Sequence, residues 1–167
     1  MSESKSADRS PEQAAAAPAE LVLVETLDEL PTWAPLERLV AFLHEDMKPY
    51  EDTPRDVERG LRYALDPARP GNGFAVLAAV DEALAGAVVF LETGMGGYVP
   101  ENILLFVCVR PEMRGRGLGA RLIERAVDHC QGDVKLHVEY DNPAKRLYER
   151  LGFSSDYAEM RLKRDKR

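Results

Sequence analysis

A glycine-rich turn, Arg114-Gly-Arg-Gly-Leu-Gly119, separates a run of apolar residues from a segment with helical periodicity. The run Ile103–Val109 is apolar at every position, which is typical of a central strand covered on both faces. After the turn, apolar residues recur at the spacing of an amphipathic helix: Leu118, Leu122, Ile123, Ala126 and Val127. The first amides of a helix lack intrahelical partners and carry the positive end of its dipole, so this junction predicts an anion site.

The residues of the turn suit a phosphate ligand. Gly115, Gly117 and Gly119 permit unusual dihedral angles and let a ligand approach the backbone closely, while Arg114 and Arg116 add positive charge. The same residues also fit a plain glycine turn with two solvated arginines, because short glycine motifs occur by chance. The chain has no GxxxxGK[ST] motif, which argues against the P-loop of nucleoside-triphosphate sites.

A dinucleotide-binding motif is a second alternative. That motif requires a further glycine where Ala120 stands, and an acid about 20 residues later at the tip of the next strand. Glu139 and Asp141 follow the next predicted strand, so the nucleotide-binding pattern is matched in part.

The rest of the chain adds helices and an antiparallel hairpin before the glycine turn, and further elements after it. Pro49 ends the first helix, Thr53 caps the second, and Asp81-Glu82 forms the tight turn of the hairpin. In chain order the predicted elements are a strand 21–24, a helix from 36 to before 49, a helix from 53, strands 74–80, 84–91 and 103–109, a helix from 118, a strand 134–138, a helix from 142 and a strand 157–162. This order predicts an α/β domain with a mixed, partly antiparallel sheet.

Composition limits the class of protein further. The 167 residues, 45% of them hydrophobic, suffice for one domain over 21–167, and residues 1–20, rich in Ser, Ala, Pro and Glu, predict a disordered tail. This tail lacks the apolar core of a secretory signal, and no apolar run in the chain approaches the ~18 residues of a membrane span. The formal net charge of -7 argues against a nucleic-acid partner. Two cysteines outside any CxxC pair favour a reduced, cytoplasmic setting with neither a disulfide framework nor a metal cluster.

Two segments of the chain resemble signatures of one family. The segment Val109-x-Pro111-x-x-Arg114-Gly-Arg-Gly117-Leu-Gly119 is similar to the acetyl-CoA-binding motif [QR]-x-x-G-x-[GA] of GNAT-type N-acetyltransferases. The segment Asn142-Pro-Ala-Lys-Arg-Leu-Tyr148-Glu-Arg-Leu-Gly152-Phe153 resembles the second signature of that family. The resemblance implies a GNAT-like fold, in which two neighbouring parallel strands of a central mixed sheet splay apart around the pantetheine arm of acetyl-CoA.

The resemblance also implies which residues hold the coenzyme. The backbone of Arg114–Gly119 would bind the pyrophosphate. Val107 and Val109 would offer main-chain groups to the pantetheine and the acetyl carbonyl, with Cys108 in the same binding segment. The thiol of Cys108 lies inside an apolar strand and is therefore interpreted as a core group and not as a nucleophile.

Tyr148 matches the tyrosine that, in this family, often protonates the departing CoA thiolate. A tyrosine at helical spacing between leucines also fits half-buried packing with its hydroxyl in solvent. Many relatives carry an Asn seven residues before this tyrosine. Here Asp141 stands at that position and Asn142 follows it, so both are candidates for the local polar contact.

The general base has no obvious position. Relatives often carry an acid midway along the strand before the phosphate loop, where this chain has Leu104-Leu-Phe106. Only about one alkyl amine in 10³ is uncharged at pH 7, so the site must remove a proton before attack. Glu92 and Glu101, at the two ends of a loop between adjacent strands, are the predicted bases, and His137 and Glu139 are weaker candidates.

The leading hypothesis is therefore an N-acetyltransferase that moves an acetyl group from acetyl-CoA directly to the primary amine of a small molecule or peptide, without a metal. One alternative is a non-catalytic acyl-CoA-binding or regulatory module on the same fold, which the missing acid favours. The other is a nucleotide-binding α/β domain. The acceptor is expected beside Glu45-Asp46, Tyr50-Glu51-Asp52 and Gly94–Tyr98, where carboxylates would attract a cationic amine. No membrane partner is expected, and a homodimer is the default oligomer.

Overall fold

A five-stranded sheet forms the centre of the molecule, and the order of its strands across the sheet is their order along the chain. The computed structural model describes residues 18–69 and 73–164. The strands are β1 (Glu20–Val24), β2 (Gly73–Val80), β3 (Ala83–Glu92), β4 (Asn102–Val109) and β5 (Val134–Leu136). The first three pairings are antiparallel and the pairing of β4 with β5 is parallel, which confirms the predicted mixed sheet.

In the described part of the chain, four α-helices pack on the two faces of this sheet. They are α1 (Leu36–Asp46), α2 (Pro54–Ala64), α3 (Leu118–Val127) and α4 (Lys145–Arg150), with short 3-10 turns at Leu27–Glu29 and Pro111–Met113. Thr53 caps α2 as predicted, because its hydroxyl accepts a hydrogen bond from the amide of Asp56 at 3.2 Å. None of the helices in residues 18–69 and 73–164 is long and apolar enough to cross a bilayer.

The hydrophobic core has two layers, one on each side of the sheet. On one side α1 and α2 cover Ala75, Leu77 and Val89. On the other side α3 and α4 cover Val76 and Phe90. Strands β2 and β3 are buried along almost their whole length, whereas residues of β4 alternate between buried and half-buried. Strand β4 contributes Phe106 and Cys108 to the first layer and Leu104, Val107 and Val109 to the second, which confirms the prediction that it is covered on both faces.

Strands β4 and β5 stay together over three residue pairs and then separate. The pairs are Asn102 with Val134, Ile103 with Lys135 and Leu104 with Leu136. Across the other edge of β4, Val89 faces Phe106 while Phe90 faces Leu104, so Leu105 is the extra residue of a β-bulge. A bulge kinks its strand and interrupts the ladder. The bulge therefore lies where β4 leaves β5, and the two strands splay apart from that point to Val109.

Three sequence-based boundaries need correction. The predicted strand over 134–138 ends at Leu136, because residues 137 and 138 have lost their partner on β4. The predicted helix from 142 begins at Lys145, because the carboxamide of Asn142 accepts from the amide of Ala144 at 2.9 Å and holds a turn. The domain begins one residue before the predicted start at 21, since Glu20 already belongs to β1. The predicted tail lies outside the described ranges over residues 1–17.

The predicted strand over 157–162 is also wrong. The structure gives this segment no strand, and the side chains of Tyr157, Met160 and Leu162 are exposed. Alternating apolar residues favour a strand, but a strand also needs a partner for its backbone hydrogen bonds. Such a partner depends on the rest of the fold and not on the segment itself.

Candidate functional site

The glycine-rich loop after β4 presents a series of unpaired backbone amides. Gly115 and Gly117 have φ values of +71° and +80°, and Gly117 is the N-cap of α3. Within residues 18–69 and 73–164, the amides from Gly115 to Ala120 have no hydrogen-bond acceptor, and the amide of Arg121 is the first to bond back, to Gly117 O at 3.1 Å. Alternating left-handed residues before a helix N-terminus turn such amides toward one concave site, which suits an anion.

The loop has room for a ligand to approach. A Cβ atom added at Gly115 or Gly117 would have no atom within 4 Å, whereas one at Gly119 would lie 3.3 Å from the side chain of Leu147. The dihedral angles of the first two positions therefore favour glycine, whereas a side chain at Gly119 would need that of Leu147, the residue before Tyr148, to shift by a few tenths of an ångström.

Arg114 fastens the loop to the rest of the protein. Its Nε donates to Val109 O at 2.8 Å, and its Nη2 donates to the carbonyl of Asp46 at the C-terminal end of α1. The side chain of Arg114 is thus engaged with two carbonyl groups, and it leaves Arg116, which is exposed, as the arginine directed to solvent beside the unpaired amides.

Tyr148 lies on the α3 and α4 side of the splayed strands. It is 6% exposed and belongs to the same core cluster as Val107, Leu118 and Leu136. Burial, and to a smaller degree the charge of Glu139, raises the pKa of Tyr148 to about 12. Its hydroxyl has no hydrogen-bond partner among the described residues, and its oxygen is not sealed from solvent. The phenol is therefore protonated at neutral pH and available as a donor.

The connection between α1 and α2 lies on the opposite side of the gap that separates β4 from the chain after β5. It is held at one end by the bond from Arg114 to the carbonyl of Asp46. At the other end the hydroxyl of Tyr50 donates to the carbonyl of Asp141 at 3.3 Å. Partial burial, followed by the charges of Asp141 and Glu139, raises the pKa of Tyr50. The connection therefore bridges from the end of β4 to the turn that follows β5.

Cys108 and Asn142 have local roles in this arrangement. Burial, and then the neighbouring charge of Asp46, raises the pKa of Cys108 to about 12, so the thiol stays protonated and is not an activated nucleophile. Asn142 donates from Nδ2 to the carboxylate of Glu139 at 3.4 Å and shapes the turn before α4. Asp141 contributes its carbonyl to Tyr50.

The structure does not bring Glu92 and Glu101 to the glycine-rich loop. They lie at the start of β4, where Glu92 pairs with Asn102. At about 3.3 Å per residue, the strand from Asn102 to Val109 places them ~23 Å from the loop end. The carboxylate of Glu101 accepts from the amide of Asp133 at 2.8 Å, and this backbone hydrogen bond is the main cause that lowers its pKa. Of the four carboxylates and imidazoles proposed from sequence, Glu139 is the one whose charge reaches both Tyr50 and Tyr148.

His137 lies toward the C-terminal segment. The pKa of Glu159 is lowered mainly by Arg161 and to a small degree by His137, which places the imidazole near that segment. In the described parts of the chain, no three His, Cys, Asp or Glu side chains gather in a way that could hold a metal ion.

Comparisons with known proteins agree with this geometry. The model of the acetyltransferase (GNAT) family matches residues 35–153. Among solved structures, the chain superposes with a TM-score of 0.60 on the ribosomal-protein-alanine N-acetyltransferase from Brucella melitensis biovar Abortus 2308, at 19% identity over 87% of this chain and 99% of that chain. It superposes with a TM-score of 0.64 on the aminoglycoside N-acetyltransferase AAC(6')-Iy in complex with CoA, at 12% identity over 92% of this chain and 100% of that chain. At such identities the likeness shows the fold alone.

Two curated relatives, from Mus musculus and Homo sapiens, match over a shorter stretch. A segment of 57 residues, 34% of this chain, is 39% identical to the cysteine-rich protein 2-binding protein of Mus musculus, and it spans 7% of that protein.

Replacement of Glu101 by Gln should make the free energy of unfolding depend less steeply on pH in the acidic range. Because the folded pKa of Glu101 is lowered, its contribution is complete above the ordinary glutamate pKa of about 4.3 and is lost as the pH falls through the folded value. We therefore expect Glu101→Gln to be less stable than wild type at pH 7 and the two proteins to converge near pH 3, as measured by urea denaturation across pH. Glu124→Gln, on the exposed face of α3, is the matched control. If the free energy of unfolding changes with pH equally in wild type and Glu101→Gln, the lowered pKa of Glu101 would be contradicted.

Proposed function

The chain belongs to the acetyltransferase (GNAT) family, and we propose that it is an acetyl-CoA-dependent N-acetyltransferase that moves an acetyl group to a primary amine by direct attack. The observation that carries this proposal is the position of the unpaired amides from Gly115 to Ala120 at the open end of the splayed strands β4 and β5, with the Tyr148 hydroxyl on the same side of the sheet.

The residues present fit a coenzyme with a pyrophosphate group. Six consecutive unpaired amides lie in the loop and the first turn of α3, where the helix dipole has its positive end. The space beside Gly115 and Gly117 is open. Arg116 would add a mobile positive charge, while Arg114 keeps the loop in place through its bonds to Val109 and Asp46. The acyl donor supplies the thioester carbon that the amine attacks. The backbone of β4 beyond the bulge, at Val107 and Val109, would lie beside its pantetheine arm.

Tyr148 is proposed as the proton donor to the departing sulfur. A phenol with a pKa of about 12 is fully protonated at neutral pH, as a donor must be. A thiol has an ordinary pKa of about 8.5, so complete transfer from this tyrosine would be uphill. A hydrogen bond from the hydroxyl that strengthens as charge develops on sulfur meets the requirement without complete transfer before the bond breaks.

The amine must lose a proton before or during attack. The geometry supports Glu139 in this role over Glu92 and Glu101, because the charge of Glu139 reaches the tyrosines on both sides of the gap. A carboxylate of ordinary basicity is a weak acceptor from an alkylammonium ion, so we propose that the proton leaves through water that Glu139 orients.

The acceptor is proposed to enter from the side of the α1–α2 connection. Asp46, Glu139 and Asp141 lie around that entrance, and none of them forms an ion pair with a cationic side chain among the described residues. Their field would raise the local concentration of a cationic amine. The acceptor class that this charge favours is a small amine or peptide carrying positive charge.

A non-catalytic acyl-CoA-binding module is the second candidate function. It is favoured by one observation: Leu104, Leu105 and Phe106 give the middle of β4 no acid. The two functions differ in a thiol-release assay with acetyl-CoA and a panel of amines. Turnover with a single amine supports the enzyme, whereas thermal stabilisation by acetyl-CoA without turnover across the panel supports the binding module.

Tyr148→Phe should lower kcat while leaving coenzyme affinity nearly unchanged. Loss of a positioned proton donor costs roughly 10²-fold or more in rate, whereas the ring that packs against Phe153 is retained. Steady-state thiol release gives kcat, and calorimetric titration gives the Kd for CoA. Tyr140→Phe, at an exposed tyrosine in the turn before α4, is the matched control and should behave as wild type. Equal turnover by Tyr148→Phe and wild type would remove Tyr148 from this role.

Asp141→Asn should raise the KM for a cationic amine by roughly two- to fivefold, because one solvent-exposed charge contributes a modest attraction. The substitution keeps the backbone carbonyl that Tyr50 bonds. The effect should shrink as the ionic strength rises from 0.05 to about 0.5 M, since salt screens exposed charges. Glu149→Gln, whose carboxylate pairs with Lys145 on α4, is the control. An unchanged KM at low salt would contradict an electrostatic role for Asp141.

A further inference from the structure

Asn102, the first residue of β4, is the buried polar residue of the described chain, with 1% of its surface exposed. Its Nδ2 donates to the carbonyl of Gln131 at 2.7 Å and to that of Asp133 at 3.2 Å, and its own amide donates to Asp133 O at 3.0 Å. One residue at the start of β4 therefore satisfies two carbonyl groups of the turn that leads into β5. Sequence reasoning missed Asn102, since its only signal was a polar residue ahead of an apolar run.

The neighbouring residues hold the same turn. The carboxylate of Glu101 accepts from the amide of Asp133 at 2.8 Å. Gly132 has a φ of +81°, and a Cβ atom there would lie 2.4 Å from the carboxylate of Glu101. The turn 131–133 is thus bound from both sides of its backbone, by an acceptor at Glu101 and by donors at Asn102. We call these contacts the clamp.

The clamp lies at the closed end of the splayed strands. Beyond it, the ladder between β5 and β4 ends at Leu104 and Leu136. The chain after Leu136 continues through the turn 139–142 into α4, which carries Tyr148. The glycine-rich loop, in contrast, follows directly from β4. The clamp therefore fixes the Tyr148 side of the gap relative to the coenzyme side.

We propose that Asn102 is a positioning residue for the acyl-transfer reaction, which it serves by fixing the start of β5 and thereby the place of Tyr148 opposite β4. Glu101 assists by holding the same turn. This inference rests on the proposed function, and it assigns to Glu101 a contact at the closed end of the gap in place of the role of a base.

A double-mutant cycle tests whether Asn102 acts through Tyr148. Asn102→Ala should lower kcat about tenfold or more, while the KM for acetyl-CoA stays within about twofold, because the amide-bearing loop remains joined to β4. In a Tyr148→Phe background, Asn102→Ala should change kcat by less than about twofold, since the group that it positions is already absent. Full additivity of the two losses would overturn the proposal.

The matched control is Thr93→Ala. The hydroxyl of Thr93 donates to the carbonyls of Pro100 and Glu101 at 2.8 and 3.2 Å, at the same end of the sheet but toward β3. It should lose less than about twofold in kcat and show no coupling to Tyr148. If Thr93→Ala lowers kcat as much as Asn102→Ala does, the effect comes from general destabilisation of this end of the sheet, which would overturn the proposal. If Asn102→Ala does not fold, Asn102→Ser and Glu101→Ala enter the same cycle.

Hydrogen exchange gives a readout that does not depend on turnover. Asn102→Ala should raise the exchange rate of the Lys135 and Leu136 amides about tenfold or more and leave the middle of α3 unchanged. Unchanged exchange in β5 would overturn the clamp even if the enzyme is active. Faster exchange in β5, combined with no turnover by wild type on any amine, would support the clamp while overturning the proposed function and with it the positioning role.

Discussion

The arrangement of the site depends on the point where β4 and β5 stop pairing. Every unpaired amide or carbonyl left inside a protein costs free energy, so the free edge of a strand needs a partner. Here the ladder stops at Leu104 and Leu136, next to the bulge at Leu105, although β4 runs on to Val109. The backbone edge beyond the bulge is consequently left for something other than a strand, and the unpaired amides of the following loop lie at the same end of the sheet.

Contacts on both sides of the sheet keep this gap open and bounded. On one side Arg114 and Tyr50 attach the α1–α2 connection to the ends of the two separated strands. On the other side the buried ring of Tyr148 packs in the α3 and α4 layer. In the proposed reaction, acetyl-CoA and the amine would approach the same edge of β4 from opposite faces, as direct transfer between them requires. The clamp at Asn102 sets where the separation begins.

The part of this site that could be predicted from sequence is local. The spacing of the glycines predicts the turn before α3. Tyr148 and the loop each belong to a contiguous segment that resembles a family signature. The strand over 157–162 was predicted wrongly because alternation describes a segment and not its partner. The bond from Arg114 to Asp46 and the bonds of Asn102 to Gln131 and Asp133 join residues far apart in the chain, so no pattern within either segment could reveal them. The contact of the Glu101 carboxylate with the amide of Asp133 is likewise long-range, and the role of Glu101 as a base stays a prediction.

The claim that the open end of β4 holds a pyrophosphate through backbone amides is tested most directly by titrating ¹⁵N-labelled protein with CoA and following the amide resonances by NMR. The account predicts that the largest shifts occur from Gly115 to Ala120 and that they saturate together with a single dissociation constant. Binding of CoA with these six amides unmoved, or no shift anywhere at millimolar CoA, would contradict it.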